Sequence, residues 1–294
     1  MRQWWPGFVA LSAIWGASFA LIKVAVDAGM PPVWVALWRC VLGAAALWTI
    51  LAVRREAVPR EARAWAHSAV VAVLLNAAPF VMFSFGETRI SSVLAGVWNA
   101  TTPLFTLLFA LLTASGERLG ARRATGLALG FAGIMAVLGV WRGTGSGQPA
   151  GSLACLLATA CYGAGFAYTR RFLSGLPHST TSLATLQISC ATAELALIAP
   201  AAAGAPHWPG AAAALALLAL GALGTGVAYI LNLNLVRTAG ATVAATVTYV
   251  TPLWSTALGA LLLAEPVHWN TALGGLLVIV AVVLTRTSPR PFRA

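Results

Sequence analysis

Aromatic, amide and hydroxyl side chains recur at helical spacing inside long apolar stretches of this sequence. Side chains three or four positions apart share one face of a helix, so Trp15 aligns with Ser18, and Asn76, Phe80 and Phe83 form a second such face. Rings can stack on a small molecule while amides and hydroxyls meet its polar groups. The residues that predict a noncovalent, aromatic-walled binding cavity are Trp15, Ser18, Asn76, Phe80, Phe83, Trp98, Asn99, Thr102, Tyr162, Phe166, Tyr229, Asn232, Thr248 and Tyr249.

These residue types also have a purely structural interpretation. Tryptophans near the ends of apolar stretches are typical of the aromatic belts at a membrane–water interface. For the deeper aromatic residues we favour the cavity, because a hydroxyl that faced lipid would lack a hydrogen-bond partner. Asn76, Asn99 and Asn232 could equally join neighbouring helices by hydrogen bonds.

No catalytic or metal-binding motif accompanies these residues in the sequence. HExxH, G-x-S-x-G, a Walker phosphate loop and paired acidic residues within one apolar stretch are all absent. The four cysteines lie inside apolar stretches without CxxC spacing, and the four histidines lie near the ends of such stretches. We therefore expect a protein that is not an enzyme and that uses no metal and no cofactor. A channel fits poorly, because neither a filter-like motif nor a ring of charges is present.

The composition defines the class of protein that must position these side chains. Of 294 residues, 60% are hydrophobic and 9% are charged, and the mean hydropathy is +0.85. Soluble domains carry roughly a quarter charged residues, so this chain predicts an all-α polytopic membrane protein. The net charge of +11 comes without a long basic run, and we expect no nucleic-acid partner.

Ten apolar stretches are long enough to cross a bilayer, which takes about 20 residues in a helix. The predicted spans are 6–26, 32–53, 65–86, 91–114, 121–141, 150–172, 179–200, 210–236, 241–263 and 268–286. Most of the 18 basic residues fall between spans on one side of the membrane, which the positive-inside rule makes cytoplasmic. Both termini are then cytoplasmic, as an even number of spans requires. The expected location is the inner (plasma) membrane.

The second half of the chain repeats the first. The segment WGASFALIK at 15–23 returns as YGAGFAYTR at 162–170, and Thr102-Pro103-Leu104 returns as Thr251-Pro252-Leu253. Each half holds five predicted spans, and an odd number places the two copies in opposite orientations. Inverted repeats are a transporter architecture in which the substrate site lies between the halves.

The repeat also predicts where the chain divides. A first five-helix repeat covers 1–141, a Gly-rich linker covers 142–149, a second repeat covers 150–287 and a cytoplasmic tail covers 288–294. Pro103 and Pro252 each remove a backbone hydrogen bond from their helix. They are either hinges for a rocking motion or bends that packing tolerates.

A few charged residues lie within predicted spans. Lys23 is near the end of its span, where it either extends to the headgroups or forms a vestibule charge that attracts substrate carboxylates. Arg39 and Glu194 lie deeper, and each needs a partner or water there. Glu194 could relay protons or join two helices.

The ordered set of motifs resembles the EamA family within the drug/metabolite transporter superfamily. The matching features are W-G-x-S-F at 15–19, the spacing from Pro32 to Arg39, and T-P-L followed by an acidic turn, Gly116-Glu117 in the first half and Ala264-Glu265 in the second. The alanine at 264 departs from the Gly-Glu of the first half. The resemblance covers essentially the whole chain, and it implies efflux of small metabolites by alternating access without ATP hydrolysis. The aromatic-rich version most resembles the aromatic amino-acid exporters.

The sequence therefore predicts a secondary exporter of small metabolites, with amino acids, including aromatic or large neutral ones, as the favoured substrates. Its expected partners are a small-molecule substrate and the lipid bilayer; a monomer is favoured and the oligomeric state stays open. The alternative is an exporter of drugs or organic cations. That function calls for a carboxylate within the membrane, and the spans that contribute to the cavity offer none apart from Glu87 at a span end.

Overall fold

Long apolar stretches between short polar connections form the helices of this protein. A computed structural model describes residues 4–90, 92–112, 120–137, 149–206, 208–254 and 269–285, and these contain helices and no β-strand. Six of the helices are long and apolar enough to cross a membrane. They are α1 Trp5–Asp27, α2 Pro32–Val53, α3 Ala62–Glu87, α7 Pro149–Leu173, α8 Thr180–Ala203 and α9 Ala211–Ala239.

Shorter helices occupy the described parts of the remaining apolar stretches. They are α4 Ser92–Asn99, α5 Thr102–Leu112, α6 Ala121–Val137, α10 Ala241–Ala245, α11 at 247–254 and α12 Trp269–Thr285. The Gly-rich linker falls almost entirely outside the described residues, as do the acidic turns at 116–117 and 264–265 and the tail.

The helix ends follow local chemistry. Pro32 opens α2, where a missing N–H costs nothing because the first turn has no internal acceptor for it. The hydroxyl of Ser179 accepts a hydrogen bond from the backbone N–H of Ser182 and caps α8. Gly204 and Gly240, with φ of 63° and 92°, end α8 and α9 in a backbone conformation that glycine adopts without strain.

Two of the predicted spans are interrupted in the structure. The span predicted at 91–114 consists of α4 and α5 with a break at Ala100 and Thr101, and the span predicted at 241–263 begins as α10 and α11 with a turn at Thr246. At each break a threonine hydroxyl bonds the carbonyl three residues earlier, Thr101 to Trp98 and Thr246 to Val243, both at 2.7 Å. Such bonds compete with the regular helical pattern.

The two longest helices each contain a π-helical turn. These turns cover Val73–Ala77 in α3 and Ala222–Val227 in α9. The offset that aligns Thr102 with Thr251 also aligns Val73 with Ala222, so the turns occupy equivalent positions in the two halves. A π-helical turn leaves backbone carbonyls without their usual partners, and such turns are frequent at functional sites.

The first helix of each half packs into the other half. Helix α1 packs against α9 and α11, whereas α7 packs against α3, α4 and α5. Equivalent helices pair as well, α2 with α8 and α6 with α12. The two halves therefore share one buried core.

Gly16 and Gly163, which occupy equivalent positions in the repeated segment, let α1 and α7 pack closely against the other half. A Cβ at Gly163 would lie 2.5 Å from the Cβ of Phe105 in α5, and a Cβ at Gly16 would lie 2.8 Å from the Cβ of Trp254 in α11. Close packing also occurs through Gly133, where a Cβ would lie 2.9 Å from the carbonyl oxygen of Gly274.

Candidate functional site

A cavity lies where α1, α2, α3, α7 and α9 meet the ends of α4 and α11. The space open to the centres of water molecules is about 50 Å³, enough for a few waters, since each needs roughly 10–15 Å³ by this measure. From the predicted set it is lined by Trp15, Ser18, Phe80, Phe83, Asn99, Tyr162, Phe166, Tyr229, Asn232 and Thr248. Phe19, Ile22, Arg39 and Leu75 complete the lining.

Aromatic rings line the cavity in two groups of three. Tyr229 makes edge contacts with Trp15 and Phe80, with ring centroids 6.1 and 6.4 Å apart. Phe83 stacks on Tyr162 at 5.7 Å and meets the edge of Phe19 at the same distance. These are the preferred geometries of aromatic pairs, so each ring supports its neighbours.

Two of the rings are also fixed by hydrogen bonds to the π-helical turns. The hydroxyl of Tyr229 donates to the carbonyl of Leu75 at 2.6 Å, and Nε1 of Trp15 donates to the carbonyl of Gly224 at 3.2 Å. Leu75 and Gly224 are each the third residue of their turn. Carbonyls within the two turns therefore orient Tyr229 and Trp15 in the cavity wall.

Arg39 is the charged side chain of this lining, and its residue is 4% exposed. Its Nε donates to Oγ1 of Thr225 at 3.2 Å, and its Cζ lies 3.5 Å from the ring centroid of Phe80. The sequence marked Arg39 as an in-span charge that needs a partner, and Thr225 is that partner. Its place in the cavity was missed because only the packing of α2 against α9 creates it.

A neutral bridge mirrors this contact in the other half. Nε2 of Gln187 donates to Oδ1 of Asn76 at 2.7 Å. Arg39 is the eighth residue of α2 and Gln187 the eighth of α8, while Thr225 and Asn76 are each the fourth residue of a π-helical turn.

Four predicted site residues do not line the cavity. Asn76 joins α3 to α8 through Gln187, and the hydroxyl of Tyr249 donates to the carbonyl of Leu127 at 3.0 Å. Thr102 is buried, and Trp98 is half-buried in a cluster that includes Phe83. Their helices carry them past the cavity because packing partners, rather than spacing, set each helix's rotation.

The remaining predicted positions lie beside the cavity. Lys23 follows the lining residue Ile22; its Nζ lies 2.8 Å from Oδ1 of Asp27 and donates to the carbonyl of Glu87 at 3.1 Å. The Glu87 side chain is buried, and within the described residues its carboxyl oxygens have no hydrogen-bond partner. The vestibule role of Lys23 stays a prediction.

The two prolines differ in position. Pro103 is the second residue of α5, just after the break in its span, whereas Pro252 lies inside α11, several residues beyond the turn at Thr246. Their role as hinges stays a prediction as well.

Comparison with known proteins shows which family this chain belongs to. The model of the EamA-like transporter family matches the chain twice, over residues 3–139 and 149–287. The chain belongs to the EamA-like transporter family. This EamA-like protein is 29% identical over 299 residues to YedA, an uncharacterised inner membrane transporter of Escherichia coli K12, covering 100% of this chain and 94% of that one. YedA of E. coli O157:H7 matches to the same extent.

The fold is known from crystallography. A crystal structure with 20% identity aligns over 95% of each chain with a TM-score of 0.75. Together with the six long apolar helices, the family and its relatives identify the EamA-like protein as a multi-pass protein of the inner membrane that belongs among membrane transporters.

Proposed function

We propose that this EamA-like protein is a secondary exporter of small metabolites, with amino acids, including aromatic or large neutral ones, as its main substrates. The observation that carries the proposal is the cavity between the two halves, which aromatic rings line together with several polar side chains. Such a surface stacks on rings and covers apolar side chains, while Asn99, Asn232 and Thr248 can meet polar groups.

The proposed topology has ten spans in two inverted repeats with both termini cytoplasmic. Helix α4 with α5, α6, α10 with α11, and α12 supply the four spans beyond the six long helices. The two family matches, the equivalent π-helical turns and the exchange of α1 and α7 between halves support two copies of one unit.

The size of the cavity supports alternating access as the proposed mechanism. About 50 Å³ accommodates a few waters and not a bulky amino acid, so the halves must separate on one side to admit substrate. Asn99 and Thr248 line the cavity next to the two helix breaks. Movement at these breaks, with Pro103 and Pro252 nearby, would widen the cavity directly.

Counterflow in proteoliposomes of the purified protein tests the proposal. A panel of labelled amino acids is offered with and without a pH gradient, and we expect saturable uptake of aromatic or large neutral members. Tyr162→Ala should reduce it strongly because Tyr162 stacks on Phe83 in the wall. The matched control is Trp5→Ala, which removes an aromatic ring that is 54% exposed and does not belong to the cavity lining.

The same assay separates the alternative function. Uptake of a lipophilic cation, without uptake of any amino acid, would contradict the proposal and favour an exporter of drugs or organic cations. Within the described residues no acidic side chain lines the cavity, which is why we expect the amino-acid result.

A further inference from the structure

We infer that the cavity recognises a carboxylate, which the guanidinium of Arg39 binds while the aromatic wall covers the rest of the molecule. The substrate class is then small carboxylates with an apolar or aromatic body, amino acids included. This inference rests on the proposed function and narrows it.

The first argument is that the structural role of Arg39 needs no charge. The equivalent bridge in the other half uses the neutral Gln187, which joins α8 to the π-helical turn of α3 as Arg39 joins α2 to that of α9. In both side chains the donating nitrogen is the one bonded to Cδ. The amide nitrogen of a glutamine at position 39 would therefore stand where Nε of Arg39 stands and could donate to Thr225.

The second argument concerns what arginine adds beyond that nitrogen. Its Cζ, Nη1 and Nη2 carry a positive charge and four further N–H donors. Within the described residues Nη1 and Nη2 make no hydrogen bond, and no carboxylate lies within 4 Å. A buried charge without a carboxylate partner is costly, and the bridge in the other half joins its two helices without a charge.

The third argument is the orientation of these free donors. The guanidinium lies over the ring of Phe80, with Cζ 3.5 Å from the centroid, and Nε is held by Thr225. A guanidinium fixed at one edge and one face presents its remaining edge, and this planar fork matches the two oxygens of a carboxylate. Arg39 lines the cavity together with Tyr162 and Tyr229, so an acid held there has rings around its apolar part.

Other charges near the cavity do not provide this function. Lys23 is paired with Asp27, and within the described residues the buried carboxyl oxygens of Glu87 make no hydrogen bond with Arg39. The free donors of Arg39 are therefore not occupied by either group, which leaves Arg39 as the anion-binding group of the cavity.

The test compares ligands that share a phenyl group and differ in charge. Binding of L-phenylalanine, 3-phenylpropionate and phenethylamine is measured by thermal shift and by competition in counterflow, using the full-length protein. We expect both acids to bind at least ~10-fold more tightly than the amine, because a charged hydrogen-bonded pair is lost with the carboxylate. Equal binding of the amine and the acids by the wild type would overturn the inference, whatever the variants do.

The variants separate charge from structure. Arg39→Gln keeps the bridge to Thr225 and loses the guanidinium over Phe80, so the variant should still fold, with a modestly changed melting temperature, and should abolish the preference for acids. Arg39→Lys should keep part of that preference. Arg63→Gln, which removes an exposed arginine at the start of α3, is the control and should change neither quantity. A preference for acids that survives in Arg39→Gln would overturn the inference.

The two proposals fail in different ways. Acids that stabilise the protein without any amino-acid counterflow would keep the carboxylate site and contradict amino-acid export. Amino-acid counterflow with no preference for a carboxylate would keep the proposed transport and contradict the site.

Discussion

Two tyrosines line the cavity in different bonding states. The hydroxyl of Tyr229 donates to the carbonyl of Leu75 at 2.6 Å, whereas that of Tyr162 has no hydrogen bond within the described residues. Tyr229 is therefore part of the scaffold, and the Tyr162 hydroxyl is open to a ligand. Removing the hydroxyl should therefore affect stability at Tyr229 and ligand binding at Tyr162.

Phenylalanine at each position tests this difference. Tyr229→Phe leaves a buried carbonyl unpaired, which costs about 1–3 kcal/mol, and we expect a lower melting temperature of the purified protein. Tyr162→Phe should leave the melting temperature unchanged and alter the apparent affinity in counterflow. Equal melting temperatures for the two variants would show that the bond from Tyr229 adds no stability.

The cavity was largely predictable at the residue scale, since helical spacing aligns Trp15 with Ser18 and Phe80 with Phe83. Arg39 was not placed there because its partner Thr225 is 186 residues away in the chain, and no local pattern reports such a contact. Asn76 shows the opposite error, because an amide that faces a cavity and one that joins helices look alike in sequence.

At the scale of the elements, the bridge between α3 and α8 replaces apolar packing with a buried amide pair. Removing one member of the Asn76–Gln187 pair leaves the other unpaired, and side-chain hydrogen bonds between membrane helices contribute about 0.6–2 kcal/mol. A double-mutant cycle of Asn76→Ala and Gln187→Met should therefore give a coupling energy in that range when unfolding is followed in detergent.

The control cycle pairs Asn76→Ala with Thr49→Val. The Thr49 hydroxyl is exposed and bonds only the Ala45 carbonyl of its own helix, so coupling between these two changes should be close to zero. A coupling as small for the Asn76–Gln187 pair would mean that the bridge does not stabilise the contact between α3 and α8.

Close packing of α7 on α5 gives a second prediction for the elements. A Cβ at Gly163 would lie 2.5 Å from the Cβ of Phe105 and 2.7 Å from the backbone nitrogen of Thr106. A flexible side chain could turn aside from the added methyl group, but these atoms belong to or adjoin the backbone of α5 and cannot. Gly163→Ala should destabilise the protein by about 1–3 kcal/mol. Gly175→Ala, where no atom lies within 4 Å, should leave the thermal transition unchanged, and similar losses in both variants would contradict this account.

The positions of most helices could be predicted from apolar length, but their irregularities could not. The π-helical turns at Val73–Ala77 and Ala222–Val227 lie inside long apolar stretches, where Pro79 and the pair Gly224 and Gly226 are the only local hints of irregularity. Their role becomes clear only in the structure, where Tyr229 and Trp15 donate hydrogen bonds to carbonyls of the two turns. Irregular backbone within a membrane helix is tolerated where other groups satisfy it.

At the scale of the whole molecule, each half supplies the other with its first helix. Helix α1 buries Gly16 against Thr251 and Trp254, and α7 buries Gly163 against Phe105. The first half expressed alone would expose the surfaces of α3, α4 and α5 that α7 covers, and its own α1 would lack α9 and α11 as packing partners. Independent folding of the halves is therefore not expected, although the family model matches each half separately.

Division of the chain within the predicted linker at 142–149 tests this dependence. Either half alone should aggregate or be degraded by protease, because its exposed core surface has no partner. Co-expressed halves should recover a complex that binds the same ligands as the intact chain, since α1 and α7 can still insert across the interface. Gly163→Ala in the second half should weaken recovery and Gly175→Ala should not. A single half that purifies as a monodisperse species with a cooperative thermal transition would show that the exchanged helices are dispensable, and that each repeat is a folding unit in its own right.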